Sequence, residues 1–316
     1  MTNFWQEKRV LITGGAGFVG SHVVARLQRL GCGELVVPRR ADCDLRNLDE
    51  VIRLFDQTQP HIVMHLAATV GGIGANRAAS GQFFYDNALM GLHIIEQARR
   101  ARVEKLVCLG SVCAYPKFTP VPFQEDALWN GYPEETNAPY GLAKRMTLVQ
   151  LQAYREQYGL NGIYLIPTNL YGPHDHFDLE ASHVVPALVR RFIEAKLDHA
   201  PAVTLWGTGN VSRDFLYVED AAEAIVLATQ LYNDQAPLNL GSGHEVRIAD
   251  LATIIKELVA YPGTIHWDTT KPDGQPRRCV SSERVRHAFG WQSTTSLTVG
   301  LQYTIDWYLT HATVAS

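Results

Sequence analysis

The run Val10-Leu11-Ile12-Thr13 followed by Gly14-Gly15-Ala16-Gly17-Phe18-Val19-Gly20 constrains this chain more than any other segment. Its first four residues suit a short buried strand. The Gly14-x-x-Gly17-x-x-Gly20 spacing then makes a tight turn, and Ser21 to Leu30 continues with helical periodicity as far as Gly31. A strand that turns on glycines straight into a helix leaves backbone N–H groups free at the helix start, where a pyrophosphate can rest against them. A glycine-rich turn without a ligand is the plain alternative. Strand, turn and helix in register favour dinucleotide binding, with Gly14, Gly17, Phe18, Val19 and Gly20 at the cofactor.

The alternation continues. Strands are expected at 34–37, 62–66, 105–109 and 162–167, with helices at 48–57, 83–102 and 137–158. Pro139 falls near the start of the last helix, where proline is tolerated. This β-α-β-α order predicts an α/β fold with a doubly wound parallel sheet of the Rossmann kind. After Pro173 the loops lengthen and shorter helices are expected at 183–196, 219–232, 248–260 and 296–309. Residues 1–172 therefore read as the nucleotide-binding domain and 173–316 mostly as a smaller substrate-binding lobe. The chain is expected to return to the first domain around 214–240.

Composition narrows the function classes. With 316 residues, of which 46% are hydrophobic and 19% charged, the chain buries a core without disulfide or metal staples. A net charge of −4 argues against nucleic acid as a partner. Apolar runs are of strand length, and the N-terminus lacks a basic region before an apolar core, so neither a membrane span nor a signal peptide is expected. Cysteines 32, 43, 108, 113 and 279 show no Cys-x-x-Cys and no metal-ligand spacing. The expectation is a cytoplasmic protein without a metal.

The end of the second strand reads Val37-Pro38-Arg39-Arg40, with no acid before Asp42. An acid there would suit the ribose 2′-OH of NAD, whereas guanidinium forks suit the 2′-phosphate of NADP. NADP(H) is the expected cofactor, with Asp44-Leu45 near the adenine amine and Ala67 at the end of the third strand beside it. Tyr140-x-x-x-Lys144 puts a phenol and an ammonium on one helix face. An ammonium there favours the phenolate and lowers the tyrosine pKa, which suits proton transfer at a carbonyl oxygen. Ser111 ends a strand on the ligand-binding edge and can hydrogen-bond the same carbonyl.

With the glycine turn, this constellation resembles the extended, nucleotide-sugar branch of the short-chain dehydrogenase/reductases. Further strings sharpen it: Gly71-Gly72-Ile73-Gly74-Ala75-Asn76, Ser111-Val112-Cys113-Ala114-Tyr115-Pro116, Pro167-Thr168-Asn169-Leu170-Tyr171-Gly172, Ser182-His183-Val184-Val185-Pro186, Trp206-Gly207-Thr208-Gly209, Arg213-Asp214-Phe215 and Lys271-Pro272-Asp273-Gly274. Together they resemble the GDP-L-fucose synthase family, GDP-4-keto-6-deoxy-D-mannose 3,5-epimerase/4-reductases, from the glycine turn to near residue 292. The resemblance implies Ser111, Tyr140 and Lys144 as the reductase triad, Cys113 as epimerisation base and His183 as acid, the last also near the cofactor. It places Asn169, Arg213 and Lys271 at a GDP-sugar substrate. It also implies a homodimer built on helices 83–102 and 137–158. Val112 and His176 depart from the family pattern, which usually has Ser and Asn there.

From residue chemistry alone, Trp206 suits either a guanine stack or the core. Arg190, Arg191, Arg277 and Arg278 could gather as a diphosphate patch, with one of the first two solvated. A 4-keto group acidifies the protons on C3 and C5, so a thiol base and an imidazole acid fit an epimerisation. A thiol serves as base only where its ionisation comes near neutrality or the transfer is concerted. Open alternatives are the same chemistry on another GDP-4-keto sugar, an NAD-dependent epimerase or dehydratase, and a non-catalytic NADP sensor.

Overall fold

In a computed structural model that describes residues 3–178, 182–271 and 273–312, strands and helices first alternate strictly. β1 (Arg9–Thr13) passes through the glycine turn into α1 (Phe18–Arg29), then β2 (Glu34–Val36), α2 (Leu48–Thr58), β3 (Ile62–His65), a short α3 (Ile73–Ala78), α4 (Ser80–Arg100), β4 (Lys105–Leu109), α5 (Ala138–Tyr158) and β5 (Gly162–Pro167). The remainder is mixed. β6 (Asn169–Tyr171), α6 (Val184–Leu197), β7 (Ala202–Trp206), β8 (Ser212–Tyr217) and α7 (Val218–Leu231) are followed by β9 (Leu238–Leu240), β10 (Glu245–Arg247) and α8 (Ile248–Val259). β11 (Thr264–Asp268), β12 (Arg277–Arg278), α9 (Glu283–Phe289) and α10 (Leu297–Ala312) complete the described chain.

Local chemistry sets the helix ends. The Asn47 side chain accepts from the N–H groups of Asp49 and Glu50 and so caps α2, whose first turn is acidic. Pro139 occupies the first turn of α5, and Gly159 ends that helix in the left-handed region.

Six strands pair in the order β2-β1-β3-β4-β5-β9, every pair parallel. Chain direction across the sheet reverses between β1 and β3, and such a reversal opens a crevice at the carboxyl ends of the strands. The strands read as unbroken apolar runs because both faces are covered. Along β1, Leu11 packs with Ile94, Ile95, Leu106 and Leu148 on one face, while Val10 and Ile12 pack with Val23, Leu27, Val107 and Ile225 on the other. A third cluster, including Val189, Phe192, Leu205, Phe215, Leu251 and Ile305, lies among α6, β7, β8, α8 and α10.

The parallel α/β architecture agrees with the sequence reading. The strands of the second half were not legible beforehand. β8 pairs with β6, β10 and β12, and β7 pairs with β11. These strands run from two to six residues, too short to show a period. No helix among the described residues is long and apolar enough to cross a membrane.

One close approach positions the site. A Cβ built on Gly141 of α5 would lie 2.5 Å from the Cys113 carbonyl oxygen, so the helix touches the turn after β4 backbone to backbone. Alanine ordinarily improves a helix interior by up to about 1 kcal/mol. Here the methyl meets backbone rather than a flexible side chain, and overpacking costs about 1–3 kcal/mol. Gly141→Ala is expected to lower stability in urea denaturation; a stabilised variant would show the approach to be looser than this.

Candidate active site

A cleft of about 1650 Å³ opens at the carboxyl ends of β1, β3 and β4 and runs on between them and the second half of the chain. Gly14 begins the glycine turn at φ +74, and a Cβ there would sit 2.6 Å from the Ala67 nitrogen. β1 therefore turns hard against the end of β3. Gly17 caps α1 without a side-chain hydrogen bond, which leaves the first N–H groups of the helix open. Gly14, Gly17, Phe18, Val19, Gly20 and Ala67 all line the cleft.

Arg39 and Arg40 line its rim, and neither guanidinium is ion-paired among the described residues. Leu45 and Asp44 line the same end. Arg46 grips the Asp44 carboxylate through Nε at 2.9 Å and Nη2 at 2.6 Å, and reaches Asp86 at 3.2 Å. Those bonds hold Asp44 down to about 2, so an adenine amine at Asp44 would share a carboxylate already engaged. Arg46 was not singled out in the sequence, where it reads as one more loop cation.

The next group comes from β4 and α5. Ser111 follows the end of β4, and its Oγ accepts from the Cys113 N–H at 3.2 Å. Tyr140 hydrogen-bonds Ser111 from the first turn of α5. Lys144 lies one turn further, its Nζ 5.9 Å from the Tyr140 ring centroid. That ammonium donates to the Leu109 carbonyl at 3.0 Å. Burial lowers Lys144 to about 8. Burial also raises the Tyr140 phenol, with the negative field of Cys113 adding to the rise and the Ser111 bond opposing it. This corrects the expectation of a lowered tyrosine pKa. Desolvation outweighs the neighbouring ammonium, which is aimed at Leu109 rather than at the phenol oxygen.

Cys113 lines the cleft beside this group, and the Arg278 Nη1 lies 3.6 Å from its sulfur. His183 immediately precedes α6 and is exposed to the open cleft. Loss of bulk solvent deep in the cleft lowers its pKa, and the positive fields of His176 and Arg278 lower it further. Arg213 is brought down to about 9 by burial and by Arg278, with Cys113, Asp273 and Glu134 opposing, and it stays cationic at neutral pH. Asn169 lines the wall with its amide nitrogen committed to the Asp214 carbonyl at 2.8 Å. Glu134, buried and held by Thr136 and Asn137, also faces the cleft. It sits in the irregular lead-in to α5, where no spacing marks it.

Trp206 lines the far end of the cleft and is largely exposed, which favours a stacking surface over a core role. Lys271 is not part of the cleft wall. The turn after β11 carries it over the Trp206 ring, 5.5 Å from the centroid. Nor do the four arginines gather as one patch. Arg191 lines the cleft, but Arg190 is taken by Glu194 and the Phe177 carbonyl, and Arg277 by Glu245 at the surface. Of the two unusual positions, Val112 is buried in the core and His176 is exposed next to the glycine turn. No metal-ligand cluster occurs among the described residues.

Residues 10–241 match the NAD dependent epimerase/dehydratase family. The GDP-L-fucose synthase of Sinorhizobium fredii is 45% identical over 294 residues, covering 93% of each chain. A GDP-L-fucose synthetase from Naegleria fowleri, solved bound to NADP, superposes with a TM-score of 0.91 at 28% identity, covering 99% of this chain and 97% of its own. A GDP-6-OMe-4-keto-L-xylo-heptose reductase from C. jejuni superposes with a TM-score of 0.93 at 27% identity, covering 98% and 99%.

A second, smaller cavity of about 320 Å³ lies behind the glycine turn, between Gly17, Ser21, His174 and Trp307. Asp175 lines it, buried, with Oδ1 accepting from the His176 N–H at 2.7 Å and Oδ2 without a hydrogen-bond partner among the described residues. Burial pushes this carboxyl from 3.8 up to about 7. An acid raised on folding contributes stability below its unfolded pKa, and that contribution is lost as pH climbs through the folded value. Asp175→Asn is therefore expected to raise the thermal midpoint above about pH 7, with the gain shrinking toward about pH 4. A gain independent of pH in calorimetric scans would refute the assignment.

Proposed function

This chain belongs to the GDP-L-fucose synthase family, and we propose that it converts GDP-4-keto-6-deoxy-D-mannose to GDP-L-fucose by epimerisation at C3 and C5 and NADPH-dependent reduction at C4. The observation that carries this reading is the meeting of Ser111, Cys113, Tyr140 and Lys144 with His183 on one cleft.

The glycine turn and the open start of α1 suit the cofactor diphosphate, and the unpaired Arg39 and Arg40 suit a 2′-phosphate. NADPH, when bound, supplies the hydride for C4. Tyr140 is a neutral phenol at physiological pH because burial raises it, so it can donate to the sugar O4 together with the Ser111 hydroxyl. Cys113 as thiolate removes the proton from C3 or C5, and the electron pair moves onto O4. His183, protonated, returns a proton to the opposite face of the carbon. Once both centres are inverted, Tyr140 gives its proton to O4 as C4 is reduced. Lys144, cationic below about 8, keeps a positive charge 5.9 Å from the ring of the phenolate left behind. Arg213, Arg191, Asn169 and Trp206 line the rest of the cleft and suit the GDP portion.

A second reading has a specific observation behind it, the superposition on the C. jejuni heptose reductase. On that reading the substrate is a GDP-4-keto heptose.

The decisive experiment follows NADPH oxidation with GDP-4-keto-6-deoxy-mannose in deuterated water, with NMR of the product. Deuterium at both C3 and C5 of GDP-L-fucose, with NADPH oxidised in preference to NADH, is expected. Tyr140→Phe should slow reduction by about 10²–10⁴-fold. Cys113→Ser should lose the deuterium incorporation. Reduction without deuterium makes the protein a simple 4-reductase; turnover of a 4-keto heptose alone establishes the second reading.

We also propose a homodimer through α4 and α5, which pack on each other and leave Phe84, Tyr85, Leu92 and Val149 exposed. A dimer mass is expected in sedimentation equilibrium, and a monomer at micromolar concentration would exclude it.

A further inference from the structure

Arg277 and Arg278 leave β12 for opposite environments. Arg277 is exposed and paired with Glu245. Arg278 is only 7% exposed and has no carboxylate partner among the described residues. Its Nε donates to Gln275 Oε1 at 3.1 Å, and Gln275 Nε2 donates to the Lys117 carbonyl at 2.9 Å. The guanidinium is thus oriented from the backbone of the segment that follows Cys113. Its Nη1 faces the Cys113 sulfur at 3.6 Å. A buried cation without an anion is costly, and the sulfur is the group it is aimed at.

We propose that Arg278 is a positioning residue whose guanidinium, fixed through Gln275, stabilises negative charge on the Cys113 sulfur. The inference rests on the reading of Cys113 as the C3/C5 base. Around Cys113 lie the Ser111 hydroxyl, the neutral Tyr140 phenol and Arg213, the β8 residue paired in register with Arg278. Glu134 and Asp273 act on Arg213. His183 is faced by His176 and by Arg278, and both fields lower it.

Protons balance over each inversion. The thiolate takes the C–H proton and becomes a thiol, and the bonding pair moves to O4. Imidazolium returns a proton to carbon and becomes neutral. The thiol proton then passes to the imidazole, restoring the ion pair for the second centre. A fixed positive charge at the sulfur favours that reset, because it stabilises the thiolate and disfavours retention of the proton.

The test uses the full-length, NADP-loaded protein with Arg278→Gln and Arg278→Lys. Cys113 alkylation by iodoacetamide is followed against pH, with mass spectrometry of the labelled peptide. The buried Cys43, Cys108 and Cys279 serve as references within the same molecule. Arg278→Gln is expected to slow Cys113 labelling about tenfold at neutral pH, with the rates converging at about pH 10, and Arg278→Lys to recover most of the loss. Deuterium exchange at C3 and C5 should fall in parallel, while reduction of an already epimerised 4-keto sugar keeps its kcat. Unchanged labelling in Arg278→Gln overturns the proposal, as does a loss that persists at high pH, which would report blocked access. If Arg278→Gln does not fold, labelling in Arg278→Met decides: loss of the charge slows Cys113 labelling at neutral pH, whereas a merely structural arginine would leave the rate and its pH dependence where they were. Normal exchange in Cys113→Ser, with labelling still dependent on Arg278, would instead overturn the base reading and leave the ion pair standing.

Discussion

The ammonium of Lys144 lies inside the protein, and the carbonyl of Leu109 at the end of β4 receives it at 3.0 Å. A buried charge left without such a partner costs several kcal/mol, so α5 cannot drift from the end of β4. Neighbouring contacts strengthen the same docking. Arg145 donates to the Ala114 carbonyl at 2.7 Å and to that of Gly131 at 3.0 Å. The Tyr164 hydroxyl, from β5, donates to the Lys144 carbonyl at 2.7 Å. Each hydrogen bond from a charged donor contributes about 1.5–3 kcal/mol. Ser111, Cys113 and Tyr140 stand together because helix and turn are joined this way.

Desolvation sets the chemistry of the cleft. It raises Tyr140, lowers Lys144 to about 8, lowers Arg213 to about 9 and lowers His183. Every one of these shifts disfavours the charged form, which is the sign burial alone imposes. At neutral pH the phenol keeps its proton and the lysine and arginine keep their charge. A proton donor and local cations therefore face the same space in a chain whose net charge is −4. An anionic ligand in this cleft would meet a local field opposite in sign to the whole.

The two ends of the cleft have different structural origins. The glycine turn, the arginine rim and the Ser111–Tyr140–Lys144 group belong to the parallel sheet and its helices. His183 caps α6, and Arg213 and Arg278 lie on β8 and β12, all of which follow β5 in the chain. Cys113 is contributed by the first group and is touched by the second, through Arg278. Cys113 and His183 thus come from different halves of the chain, while Ser111, Tyr140 and Lys144 sit within one.

The sequence by itself determined the parallel sheet, because Val10–Ile12, Ile62–Met64 and Leu106–Leu109 are short unbroken apolar runs separated by segments of helical periodicity. It determined the glycine turn and the Tyr140–Lys144 pair for a similar reason: both depend on spacing within one element. What only the tertiary structure decided involves partners distant in the chain. Arg46 meets Asp86 across 40 residues and Arg278 meets Cys113 across 165. Lys271 lies over the Trp206 ring rather than in the cleft wall, although its motif spacing is unremarkable. The direction of the Tyr140 shift was likewise hidden. Spacing places an ammonium on the same helix face as the phenol, but only packing fixes where that ammonium points and how far the phenol is removed from water.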